Sequence, residues 1–129
     1  MKKDLPDHLK TELNSSVIQF LEGKSSHGDL SEFFNKIVNK LDKANSFTPA
    51  DRPYSYYLTY ANATIFGFCE SMKYVTFRLP EFLHANAISG GGVPHKLLAR
   101  DGWINFPAWG AVTLDHAQWA KHAYMNALS

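Results

Sequence analysis

The sequence predicts an α+β fold, with an N-terminal helical hairpin followed by an antiparallel β-meander, a short helix, a further strand and a C-terminal helix. Three observations carry this expectation. Apolar residues recur at spacings of three and four through the first third of the chain. From Tyr54 onward the pattern changes to two-residue alternation and short apolar runs. Between the two regimes stand Pro49 and Pro53 among polar residues, the clearest break in the chain. A length of 129 residues suits one domain, 1–129, divided into a helical part over 1–45 and a sheet with its C-terminal helix over 54–129.

The first helix is expected over 5–22, where Leu9, Leu13, Val17, Phe20 and Leu21 share a face. Asp4 is placed to cap it, Pro6 suits its first turn and Gly23 its stop. A polar loop over 24–28 leads to a second helix over 30–44. Asp29 is its expected N-cap, and Glu32 three residues on approximates a capping box. Leu30, Phe33, Phe34, Ile37, Val38 and Leu41 form the apolar stripe, and Lys36, Lys40 and Lys43 lie off it on a solvated face. Residues 46–53 read as the connector to the sheet.

The first expected strand, 54–60, puts Tyr54, Tyr56, Leu58 and Tyr60 on one side. The second, 64–69, is nearly all apolar and should be central and covered on both faces. The third, 74–79, directs Val75, Phe77 and Leu79 one way and Tyr74, Thr76 and Arg78 the other. The segments 61–63 and 70–73 are hairpin-length turns. A short helix over 80–88 opens at Pro80 and stops at the glycines 90–92. A strand over 103–106 follows. The last helix, 114–127, is read as capped by Thr113, with Leu114, Ala117, Ala120, Tyr124 and Ala127 or Leu128 inward.

Charge narrows the function classes. Residues 1–50 hold seven lysines and seven acidic residues, the remainder six basic and five acidic, for a formal net charge of +1. Neither half has the basic footprint of a nucleic-acid binder, so no nucleic-acid partner is expected. The start, Met1-Lys2-Lys3-Asp4, leads into an amphipathic stretch, and no window approaches a membrane span. The expectation is a cytoplasmic protein without membrane attachment. Cys69 is the single cysteine, which forbids an internal disulfide and reads as a small buried apolar residue.

The motifs that carry chemistry are sparse. The six histidines, at 8, 27, 84, 95, 116 and 122, include no pair at i and i+4, and no metal or other cofactor is expected. The Gly90–Gly92 triplet follows a helix instead of opening one, which makes it a helix stop and not a phosphate loop. No Gly-x-Ser-x-Gly elbow occurs, and the catalytic residues stay unknown. The candidate binding residues are Tyr57, Arg78, His95 and Trp103. Arg78 can clamp a carboxylate or phosphate, and the other three would line the same sheet face if helices cover only one side. Aromatic residues make up 14% of the chain, which also suits a contact surface and a homodimer across an exposed sheet.

The run Tyr74-Val75-Thr76-Phe77-Arg78-Leu79-Pro80, followed by Pro94-His95-Lys96-Leu97, Gly102-Trp103-Ile104-Asn105-Phe106 and a closing helix near Tyr124, resembles the luciferase-family small domain. That family includes fungal-luciferase-like proteins and bacterial members of unknown function. The order of elements is also similar to the TfoX N-terminal and YjbR-like domains. The resemblance covers about residues 64–127. It departs from the family at Phe66-Gly67-Phe68, where family members carry histidines.

Three functions follow as expectations. One is a non-enzymatic ligand-binding or protein-interaction module. The alternative is an enzyme on a small apolar or aromatic substrate, as the luciferase resemblance implies, with Arg78 binding an anionic group, His95 as acid or base and Trp103 stacking. The TfoX likeness implies a competence-type regulatory protein.

Overall fold

The computed structural model describes residues 3–50, 55–109 and 115–129. Four α-helices and a six-stranded sheet make up the described residues, an α+β architecture with helices first and a meander after. The strands are β1 (Ala44–Phe47), β2 (Tyr57–Ala61), β3 (Thr64–Glu70), β4 (Tyr74–Arg78), β5 (Val93–Pro94) and β6 (Trp103–Pro107). They lie in the order β1-β2-β3-β4-β6-β5, and every neighbouring pair is antiparallel. Tight turns join β2 to β3 through Asn62 and β3 to β4 through Ser71, both in the left-handed region.

The helices are α1 (Ser15–Leu21), α2 (Gly28–Val38), α3 (His84–Ser89) and α4 (His116–Leu128). α2 and α4 cover one face of the sheet. Leu30, Phe34, Ile37, Val38, Ala120 and Ala123 pack there with Phe66, Val75, Phe77, Ile104 and Phe106. α1 and a 3-10 turn at Asp7–Leu9 cover the other face. Leu9, Val17 and Leu21 pack there with Leu58, Ile65, Phe68, Leu98 and Trp103. The two N-terminal helices therefore straddle the sheet. β3 lies between both clusters, which explains why its sequence is almost wholly apolar.

Several boundaries differ from the sequence expectation. The single helix expected over 5–22 is two pieces, because Asn14 spends its side chain on other chain segments and not on a helical turn. Its carboxamide donates to Leu9 O and Ala63 O at 2.8 Å each and accepts from Ile65 N at 3.1 Å. Thr11 and Ser15 also bond locally, to Asn14 N and Glu12 O, offering the backbone an alternative to the helix. Leu13, expected inward, is consequently 54% exposed.

The second helix ends at Val38, and Ala44–Phe47 is a strand, so the expected division between a helical and a sheet part is crossed by β1. Its N-cap is His27, not Asp29: the His27 Nδ1 accepts Asp29 N. Strand β2 starts at Tyr57, and Tyr56, Leu58 and Tyr60 face one side as their alternation predicts. Tyr54 lies outside the described residues. So do Thr113 and Leu114, the expected cap and first inward residue of the last helix. Asp115 caps α4 instead, accepting Gln118 N at 3.1 Å. Ala117 is exposed and Ala123 takes the inward place. The two-residue β5 was not foreseen. Gly90 caps the end of α3, as the glycine triplet suggests. Among the described residues no helix is long and apolar enough to cross a membrane.

Candidate functional site

The sheet alternation sets the direction of Arg78. Val75 and Phe77 point to the α2–α4 side, so Thr76 and Arg78 point to the other. Arg78 is paired in register with Trp103 at the end of β4. Just beyond, Leu79 N donates to Gly102 O at 3.0 Å, which closes the strand ends together. Gly102 has φ +96, and a Cβ there would stand 2.7 Å from Leu79 O, so both its conformation and its space require glycine. The 3-10 turn Ala99–Asp101 precedes it and brings Asp101 O to accept Arg78 Nε at 2.9 Å.

These segments enclose a groove of about 470 Å³. Its polar lining is Arg78, Glu81, His84, Arg100, Asp101 and Asn126, with Leu79, Pro80 and Ala99 as its small apolar parts. Arg78 is half-buried. Burial pulls its guanidinium below the ordinary value, and Asp101 opposes that shift. The guanidinium stays charged. The ion pairs among the described residues join Lys10 to Asp7 and Lys36 to Glu32, and neither uses a groove residue. His84 Nε2 lies 2.9 Å from Leu79 O. A carbonyl only accepts, so Nε2 carries a hydrogen.

His95 has a different place. It is 6% exposed, and its ring meets Phe20 and Phe68 edge-on at 4.7 and 5.9 Å. Its Nδ1 accepts Leu97 N and Leu98 N at 3.0 Å each, fixing the turn before β6. Burial lowers its pKa, so the neutral ring is favoured. Trp103, 2% exposed, tilts against Phe68 at 5.1 Å, and its carbonyl accepts His95 N. Tyr57 packs against the α2–α4 cluster, on the opposite side of the sheet. The open sheet face on which all four candidates would meet is absent, because α1 and the Asp7–Leu9 turn fill it. Arg78 alone of the four lines the groove.

Cys69 is fully buried. Its Sγ lies 3.6 Å from Ser26 Oγ, which in turn accepts Ser31 Oγ at 2.9 Å. Burial pushes the thiol up to about 11, against the opposing pull of Ser26 and Ser31, so the thiolate that chemistry needs is scarce at neutral pH. Among the described residues no group of three or more His, Cys, Asp or Glu stands close enough to hold a metal ion.

His84, Glu81, Arg100, Asp101 and Asn126 are neighbours of Arg78 that the sequence pattern does not mark. Glu81 and Asp101 stand in 3-10 turns, where a carboxylate is ordinary, and Asn126 reaches the groove from a helix 48 positions after Arg78 in the chain. A signal was present in Arg100-Asp101-Gly102, a charged turn closed by glycine directly before a strand. Neither a protein-family model, nor a curated protein, nor a solved structure matches this chain.

Proposed function

We propose that this chain is a non-enzymatic binding module that holds a small ligand by an anionic group in the groove at Arg78. The observation that carries the reading is the state of Arg78: a half-buried guanidinium at a groove wall, with Nε committed to Asp101 O and no ion pair to a carboxylate among the described residues. A partly desolvated guanidinium fork favours a planar carboxylate or a phosphate. The groove volume of about 470 Å³ suits a small molecule.

The enzyme alternative asks His95 to exchange protons beside Arg78. The buried His95 ring uses Nδ1 on two backbone N–H groups and does not line the groove, which weighs against that role. The inert setting of Cys69 weighs against a thiol nucleophile.

Thermal unfolding in the presence of acetate, phosphate or sulfate at equal ionic strength tests the reading. A ligand that binds only the folded chain raises Tm with its concentration. One of these anions should raise Tm in the wild type and leave Arg78→Gln unmoved. Equal shifts in both proteins would refute the reading.

Self-association is a second reading, favoured by Trp109. Its indole is 52% exposed yet held in place, with Nε1 donating to Met72 O at 2.8 Å and the ring tilted on Phe33 at 5.6 Å. Fixed, exposed aromatics suit protein contacts. Sedimentation at rising concentration should show a dimer that Trp109→Ala abolishes. A monomer at all concentrations would remove this reading.

A further inference from the structure

The groove carries both signs of charge. Arg78 and Arg100 supply two cations, Glu81 and Asp101 two carboxylates, and Asn126 an amide that both donates and accepts. None of the four charged side chains is in an ion pair among the described residues, although the Asp101 carboxylate acts on Arg78 at longer range. The acidic pair acts against a simple anion, because a like charge in the same groove repels it. The two arginines act in the same way against a simple cation. The ligand that meets neither penalty carries both charges on one small frame.

We infer that the groove binds a zwitterion of the α-amino-acid type, its carboxylate on Arg78 and its ammonium toward Glu81. This rests on the reading of Arg78 as an anion-binding residue and adds the second half of the ligand. His84 contributes to the ammonium side. Its Nε2–H is spent on Leu79 O, so in the neutral ring Nδ1 is a lone pair that takes a hydrogen bond from an ammonium and repels a carboxylate. The apolar lining is small: Leu79 is 2% exposed, and beyond it stand only the compact side chains of Pro80 and Ala99. The groove therefore offers little to a long hydrocarbon and suits a ligand whose charges dominate. Gly102 keeps this arrangement in register, because its carbonyl holds Leu79 N while the lack of a side chain lets Leu79 O approach.

The test is an NMR titration of the full chain with three probes, glycine, acetate and methylammonium, following the backbone amides of Arg78, His84, Arg100 and Gly102. Glycine should bind at least about threefold more tightly than acetate, a gap in keeping with one added exposed ion pair. Methylammonium should bind most weakly. Glu81→Gln should remove the gap between glycine and acetate while leaving acetate binding intact or stronger. Arg78→Gln should remove the binding of both. Equal binding of acetate and glycine in the wild type would overturn the zwitterion and leave the anion reading standing. Shifts in these amides that survive Arg78→Gln would overturn both, as would no shift with any probe. Amide spectra of the variants that match the wild type away from the groove would establish that they are folded, so that a loss of binding is read at the site.

Discussion

The side-chain oxygen of Asn14 accepts the backbone N–H of Ile65 at 3.1 Å, across 51 positions of sequence. The same carboxamide donates to Leu9 O and Ala63 O, so one 1%-exposed residue ties the N-terminal segment to the turn and start of the β2–β3 hairpin. Replacing Asn14 by Ala leaves the Ile65 N–H and the Ala63 carbonyl without this partner in a place water reaches poorly, while Leu9 O keeps Thr11 N at 2.8 Å. Each such group costs about 1–3 kcal/mol. Asn14→Ala is expected to lower stability in urea by roughly 2–4 kcal/mol with an unchanged m-value. A loss below about 0.5 kcal/mol, the ordinary scale of surface substitutions, would show that the tie is dispensable.

Gly67 yields a second expectation. β3 carries an irregularity between the pairings of Thr59 with Gly67 and Tyr60 with Ile65, and the Phe77 ring lies over Gly67. A Cβ at Gly67 would stand 2.9 Å from two Phe77 ring carbons and from Thr59 Cγ2. The Phe77 ring is itself stacked on Phe34 at 6.2 Å and tilted on Phe106, which limits its retreat. Gly67→Ala should therefore cost about 1–3 kcal/mol through overpacking. Pairing it with Phe77→Leu should recover part of the loss if the ring is the obstacle. An alanine variant as stable as the wild type in thermal unfolding would contradict the packing argument.

His95 links stability to acid. Burial holds its folded pKa below the ordinary 6.5, while the unfolded chain leaves it near that value. The unfolded state then binds more protons through the window between the two values. The stability that the neutral ring contributes is present above about 6.5 and is lost as pH falls from there through the folded pKa. Urea unfolding from pH 8 to 5 should show this decline. In His95→Asn an amide oxygen can still accept the Leu97 and Leu98 N–H groups without titrating. That variant should be less stable at pH 8, because it packs less well against Phe20 and Phe68, yet show a shallower acid decline. An identical pH slope in both proteins would exclude His95 as its source.

Cys69 should be chemically silent while the chain is folded. A thiol raised to about 11 and fully buried presents little thiolate at pH 8. A disulfide reagent should react with it only at the rate of unfolding, and at once in denaturant. Fast reaction of the native protein would mean that Cys69 is accessible.

Much of the architecture was legible in the sequence, and the reasons are local. The run 64–69 reads as a central strand because it is nearly all apolar, and Phe66, Phe68 and Cys69 are indeed buried in the two clusters. Val75 and Phe77 reveal the orientation of β4 by alternation alone, and Gly90 the end of α3. What was not legible depends on distant partners. The periodicity of Leu9, Leu13 and Val17 looks like one helix, and only the approach of Ala63 and Ile65 shows why Asn14 interrupts it. The side chosen by α1 is equally long-range. It seals the face on which His95 and Trp103 were expected to be open, and it turns both into packing residues. Arg78 was legible as a cation on the sheet face opposite Phe77 and Leu79, and the structure puts it at the end of β4. Its groove partners were not, because they come from β4's exit, α3, the turn before β6 and α4.

The most direct test of the binding account is acetate binding to Arg78, read by the guanidinium's own Nε–H resonance in NMR. Nε is held by Asp101 O at 2.9 Å, so its proton should be protected and visible. The account predicts that acetate shifts this resonance saturably at pH 7, along with the amides of the 99–102 turn, and that Arg78→Lys binds more weakly because it lacks the fork. A resonance that stays fixed while acetate reaches the concentration at which weak carboxylate binding saturates would contradict the account.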